Sequence, residues 1–324
     1  MKTCSFLSLL PVVALAAALP AQTLLVTNQY AHTLSFVDPA TAKVVAEVAE
    51  GGAGHEVIAS PDGRWAVVPL YGSAGVGKPG TDGSTMLIVD VPAHKVVKTF
   101  DFGHGVRPHK PVWDAKRNVL YVTTELDKTV SVLDPKTWTI VGSIPTEQEQ
   151  SHMFALSHDG MRGYTANVGP GTVSVLDIAD RKTLKVIPIS KDTQRISISN
   201  DDKWVFTADQ VEPKLAVIDA KTMALKSWVT LPGIGYGTAP TKDGKYLIVT
   251  LRPSHEVAIV DLASLKVVKT IPLEEIPTEV IVRPDGKVAY VSCGHRVAAL
   301  DTSTWAVQNW IATGNGADGL AWAK

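Results

Sequence analysis

Short runs in which every second residue is apolar recur along the chain, paired across a brief polar turn. TVSVLD followed by PKTWTIVGSI shows the unit, and TVSVLDIADRKTLKVI, KLAVIDAKTMALKSWV and EVAIVDLASLKVVKTI repeat it. Period-two alternation rich in Val and Ile predicts half-buried β-strands. Each first run ends in an aspartate, and these seven (Asp38, Asp90, Asp134, Asp177, Asp219, Asp261 and Asp301) stand 52, 44, 43, 42, 42 and 40 residues apart. A period of this length, with four short strands per copy, predicts the blades of a β-propeller.

Between copies lies a second phrase, an inner strand closed by a turn: HEVIASPDGRW, HMFALSHDGMR, QRISISNDDKW and TEVIVRPDGKV among others. The Asp-Gly and Asn-Asp pairs predict two-residue hairpin turns, where a positive φ is required. The repeat region begins with TLLVTN, a second-strand phrase, and closes with DGLAWAK, an inner strand. Together they complete one blade, so residues 22–324 are expected to form one all-β, seven-bladed propeller. Pairing of the first strand with the last would close the ring and remove its exposed edge.

LLVTN, LYVTT and AYVSC, with SPDGRW, RPDGKV and VSVLD beside them, resemble the repeats of the YVTN-type β-propeller family. The resemblance runs over essentially the whole repeat region. It implies the fold and leaves activity open, since one fold hosts many functions.

With the repeat in register, the inner strands start at His55, His109, His152, Gln194, Tyr236, Thr278 and Asp318. A propeller brings these seven positions to the top mouth of its central channel. Three successive blades thus offer an imidazole, flanked by Asp318 and Gln194. Three such ligands with an open position suit a Zn, Mn, Fe or Cu ion, and His55, His109, His152 and Asp318 are the expected metal set. The plainer alternative is a wet channel mouth without a ligand.

The next ring position holds Glu56, Lys110, Met153, Arg195, Gly237, Glu279 and Gly319, where the family resemblance implies glycine. Lys110 and Arg195, with Gln194 and Glu56, are the candidate substrate-binding residues for an anionic ligand; ion pairing among the charges is the competing reading. His158 falls in a bottom-face turn, whereas His32, His104, His255 and His295 fall in top-face loops. One top loop is expanded, YGSAGVGKPGTDG at 71–83, as a lid or as a neutral insertion. Trp113 and Trp322 share one slot suited to packing between blades.

Composition narrows the class. With 31 basic and 32 acidic residues and no basic stripe, a nucleic-acid partner is not expected. MKTCSFLSLLPVVALAAALPAQT reads as a secretory signal cleaved near Ala21, predicting a periplasmic or secreted protein without a membrane span. Cys4 would leave with that segment, so Cys293 is the lone thiol and no internal disulfide is expected.

Two classes of function follow. In one, the top face of a monomer binds a small-molecule, glycan or protein ligand, or a metal, without turnover. In the other, the metal serves a lyase or a lactonase-type hydrolase acting on a carboxylate- or lactone-bearing substrate. There Tyr236 would be acid or base and Arg195 would neutralise charge. That ligand set resembles the three-histidine-plus-glutamine site of the seven-bladed oligouronide lyases, in ligands only. The copper cluster of the nitrous-oxide reductase propeller needs more ring histidines than this chain has.

Overall fold

Each repeat folds into a four-stranded antiparallel sheet, and seven such sheets make the ring. The computed structural model describes residues 22–324; the expected secretory segment, 1–21, lies outside the described residues. Among these residues no helix is long and apolar enough to cross a membrane. Ring closure is as the terminal phrases predict. Thr23–Asn28 pairs with Ala317–Ala323 on one side and with Thr33–Asp38 on the other.

Apolar side chains from neighbouring sheets interdigitate to hold the blades together. Leu24, Val26 and Val37 of the closing blade pack against Val288, Tyr290 and Val297 of the blade before it. Tyr121, Val130 and Ile144 meet Phe154, Leu176 and Ile178 in the same way. Each fully buried side chain of this size contributes ~1.5–3 kcal/mol relative to exposure. Trp113 and Trp322 do pack between blades, Trp322 stacking on Tyr290 at 5.9 Å between ring centres. Cys293 is fully buried, and burial pushes its thiol up to about 12, so it behaves as a core residue.

The turns differ from the expectation in length. Ser60 N–H bonds to Trp65 O and Gly63 N–H to Ser60 O, so four residues, 61–64, connect the strands. The loop is therefore a β-turn followed by one left-handed residue, supplied by Gly63 at φ 73° and by Asp202 at φ 57° in the NDD copy. The repeated aspartates are structural. Asp134 Oδ1 accepts from Lys136 N–H at 2.8 Å, and Asp301 is held down to about 2 by Ser303 and by backbone N–H groups.

A β-bulge interrupts most inner strands near their start, as between Pro108/Pro111, Gln194/Ser197 and Pro277/Val280. Bulges re-aim side chains, here toward the channel mouth. The hydroxyl in the VT phrase carries the displaced backbone. Thr123 Oγ1 accepts from Lys110 N–H at 2.8 Å and donates to His152 O of the next blade at 2.9 Å. Thr250 does the same for Gly237 and Thr278. At Gly237 a Cβ would lie 2.4 Å from Thr278 O, so glycine is retained where two inner strands come closest.

Candidate functional site

All seven inner-strand starters, His55, His109, His152, Gln194, Tyr236, Thr278 and Asp318, line one cavity of 580 Å³ at the top mouth. Ala74, Gly75, Val76 and Lys78 of the expanded loop form part of its wall. Arg107, buried and left-handed at φ 49°, holds that loop in place. It donates from Nε to Asp82 at 2.7 Å and from Nη2 to Lys78 O at 3.2 Å.

Beneath the mouth, the second ring position is a buried charge cluster. Arg195 Nη1 bonds to both Glu56 and Glu279, its Nη2 reaches Asp318 Oδ1 at 3.0 Å, and Lys110 Nζ reaches Glu56 Oε2 at 2.5 Å. Burial works against the Glu56 carboxylate, but Arg195 and Lys110 outweigh it and hold its pKa below the ordinary value. Burial prevails at Glu279, where Glu56 repels against the pull of Arg195, and the value rises to about 7. Of the two readings for these charges, mutual pairing is what the structure displays. Arg195, Lys110 and Glu56 are committed to one another and form the floor of the cavity, with Arg195 in a left-handed conformation (φ 49°) that the glycine expectation anticipates.

The three imidazoles do come together. Ring centres of His55 and His109 are 5.5 Å apart, and those of His109 and His152 are 3.5 Å apart. Two imidazoles sharing an ion at ~2.0–2.1 Å in a tetrahedral set have centres about 5 Å apart. His109 and His152 instead lie against each other. Among the described residues no three of His, Cys, Asp and Glu are set out to hold a metal ion. Asp318 is bound to Arg195 and lies 3.3 Å from His55 Nδ1. Of the four residues expected to hold Zn, Mn, Fe or Cu, His55 thus pairs with Asp318 and His152 with Glu125, and the His109 ring lies between those of His55 and His152. Tyr236, the expected acid or base, has its ring covered by the guanidinium groups of Arg252 at 4.5 Å and Arg195 at 5.1 Å. Burial raises its pKa against the pull of Arg195.

Both inner imidazoles are held neutral. Burial, reinforced by the neighbouring His152 and His55, puts His109 well below its ordinary value, and its Nδ1 has no partner among the described residues. Burial also lowers His152 against the opposing effect of Glu125. His152 Nδ1 lies 3.0 Å from Glu125 Oε2, which also accepts from the Tyr71 hydroxyl at 2.7 Å. With Nδ1 protonated toward the carboxylate, Nε2 is the lone-pair nitrogen, and among the described residues no group bonds to it. Because an imidazole with a depressed folded pKa stabilises above pH 6.5 and loses that contribution on acidification, His109→Gln should flatten the decline in thermal midpoint between pH 6.5 and 5. Superimposable acid limbs for variant and parent would refute this.

Sequence reasoning missed Tyr71, Glu125 and Arg252. They occupy one repeat slot, the residue directly after the second strand: Gln29, Tyr71, Glu125, Val168, Gln210, Arg252 and Gly294. Tyr71 is the penultimate strand residue of its blade because the expanded loop lengthens that hairpin. Following the slot around the ring, as for the histidines, would have found them. The top-loop histidines stay outside the cavity: His104 pairs with Asp127 at 2.9 Å and His295 with Glu275 at 3.2 Å. His158 lies on the opposite face, exposed and bonded to Asp202 at 2.6 Å.

Comparison with known proteins places the chain among β-propellers. The family model of the cytochrome D1 heme domain matches residues 113–240. The uncharacterized protein YncE of Salmonella typhi is 27% identical over 197 residues, 58% of this chain and 55% of that protein. YncE of Salmonella typhimurium (strain LT2) matches equally. The chain thus spans about half the length of the curated relatives it matches. Among solved structures, the Kuenenia stuttgartiensis hydrazine synthase superposes with a TM-score of 0.75 at 22% identity, over 91% of this chain and 99% of that one. The dihydro-heme d1 dehydrogenase NirN in complex with DHE gives 0.65 at 14% identity, over 96% and 77%. At such identities the structural likeness speaks for the fold alone. The narrower likeness to YVTN-type repeats rests on the sequence motifs.

Proposed function

We propose that this propeller holds a flat, metal-bearing, anionic ligand of the haem type in its top-mouth cavity, with His152 as the imidazole directed at the ligand's metal. The observation that carries this reading is the His152–Glu125 pair. Imidazoles that ligate a metal characteristically give their other N–H to a carboxylate, which fixes the tautomer and raises the basicity of the free nitrogen. A metal already held by a macrocycle needs one or two protein nitrogens rather than three converging ones. The separate imidazoles satisfy that demand better than they satisfy a bare ion.

Further support comes from the cytochrome D1 heme domain match, whose span includes His152, Gln194, Arg195 and Tyr236. The cavity, at 580 Å³, falls within the ~300–1,000 Å³ typical of small-molecule and cofactor sites. When bound, such a group would supply redox or ligand-exchange chemistry at its metal. The chain's own residues bind and orient: Glu125 and Tyr71 hold the His152 ring, and the Arg195 cluster closes the channel below. The same proposal takes residues 1–21 as a secretory signal, with binding outside the cytoplasm.

Titration of the purified protein with haemin tests it. Saturable one-to-one binding with a shifted Soret band is expected, and His152→Ala should abolish that shift. Glu125→Ala should weaken binding about 10–100-fold. Unchanged haemin spectra with folded protein, or identical spectra for parent and His152→Ala, would reject the reading. Elemental analysis of untagged protein separates the bare-ion alternative, which requires near-stoichiometric metal that is lost on His109→Ala.

A further inference from the structure

The sequence assigns anion binding to Arg195 and Lys110, and both are committed to carboxylates beneath the mouth. We propose that Arg252, braced on the Tyr236 ring, is the receptor for an oxyanion of the ligand, a carboxylate in the haem-type reading on which this inference rests and which it deepens.

Arg252 opens the top turn directly after the strand Tyr246–Leu251, in the same slot as Gln29, Tyr71, Glu125 and Gln210. It is the one cation in that ring of seven slots. Its side chain lines the cavity and is half-buried, with the guanidinium carbon 4.5 Å over the Tyr236 ring. Among the described residues it makes no side-chain hydrogen bond or ion pair. The comparison within this protein is telling. Arg107 is occupied by Asp82 and loop carbonyls, Arg195 by three carboxylates, and Arg296 by Glu274 and Glu275. The carboxylate that Arg252 senses through space is Asp318, which is already taken by Arg195 and His55.

A guanidinium keeps its charge at any physiological pH, and stacking on an aromatic face immobilises its plane while leaving the donor edge open. That arrangement is suited to a planar, bidentate oxyanion. The Tyr236 ring acts here as the platform that positions Arg252. The ligand then spans the mouth, from the imidazoles on one wall to the guanidinium on another.

Haemin, its bis-propionamide analogue and citrate are the probes, with Arg252→Gln and Arg252→Lys as variants; the turn position leaves the core untouched. Arg252→Gln is expected to weaken haemin binding about tenfold or more, with Arg252→Lys recovering part of the loss. The bis-amide should bind the parent about as weakly as haemin binds Arg252→Gln, with no further loss in the variant, because the same contact is removed from either side. Equal haemin affinity for parent and Arg252→Gln, or fully additive losses, overturns the assignment. If the parent does not bind haemin at all, the haem-type reading fails by itself. Citrate then decides Arg252: a raised thermal midpoint in the parent that Arg252→Gln lacks sustains the receptor, and equal midpoints overturn it.

Discussion

Replacing Arg195 with methionine should destabilise the protein by about 3–5 kcal/mol, the cost typical of removing one partner from a buried ion cluster. The side chain is 4% exposed and serves Glu56, Glu279 and Asp318 together. Without it, Lys110 alone faces Glu56 and Glu279, and Asp318 keeps only His55 as a close partner. Desolvation then goes uncompensated, and the carboxylates must take up protons or the mouth must open to water. Glu279, already pushed up to about 7, is the first to be protonated, so the loss should be larger at pH 8 than at pH 5.5. Adding Glu56→Gln or Glu279→Gln to the variant should recover part of the stability. Urea unfolding of the single and double variants measures all of this. A loss below about 1 kcal/mol, in the range of an exposed ion pair, would contradict the role given to Arg195.

Glu50 governs the second large effect. Its carboxyl lies at the end of an outer strand on the top side, 3% exposed, with Oε2 accepting from Gly54 N–H at 3.1 Å and Oε1 without a partner among the described residues. Burial raises its pKa to about 8 from an ordinary 4.5. Between those values the folded chain retains a proton that the unfolded chain releases, so the folded state loses ground as pH rises across that window. The shift sets an upper bound of about 4–5 kcal/mol on the loss. Glu50→Gln keeps an acceptor for Gly54 and carries no charge. It should be more stable than the parent at pH 8, by about 2–4 kcal/mol, and level with it near pH 4.5. Glu279 contributes a slope of the same sign, so the variant retains part of the decline. Parallel stability curves from pH 5 to 8.5 would show that Glu50 is not held protonated.

Much of the architecture was readable from local patterns. Alternating runs identified the strands, the aspartates marked the hairpins, and TLLVTN with DGLAWAK foretold the closure. The turn after each inner strand is longer than Asp-Gly suggests: in place of a two-residue loop, the bonds from Ser60 N–H to Trp65 O and from Gly63 N–H to Ser60 O mark a connection of four. Glycine takes the positive φ in most of these turns, with Asp202 in its place in one and Asn118, one position later, in another. The ring of histidines was also legible, since register alone carries His55, His109 and His152 to one mouth. Tyr71, Glu125 and Arg252 were less legible, because their slot lies off the inner strands and begins a loop whose residues vary from blade to blade.

The sequence by itself therefore determined the seven blades, the way the ring closes and the residues that meet at its mouth. These follow from short-range periodicity and turn chemistry, which a linear string records. Tertiary structure alone decided what those residues do, because their partners lie far off in the chain: Glu56 is 139 positions from Arg195, and Glu279 is 84. Burial, tautomer and charge depend on distances between such groups, and a difference of one or two ångströms separates imidazoles that share an ion from imidazoles that merely touch. Coulomb and hydrogen-bond energies change steeply over that interval, so the register that gathers the groups leaves their pairing open.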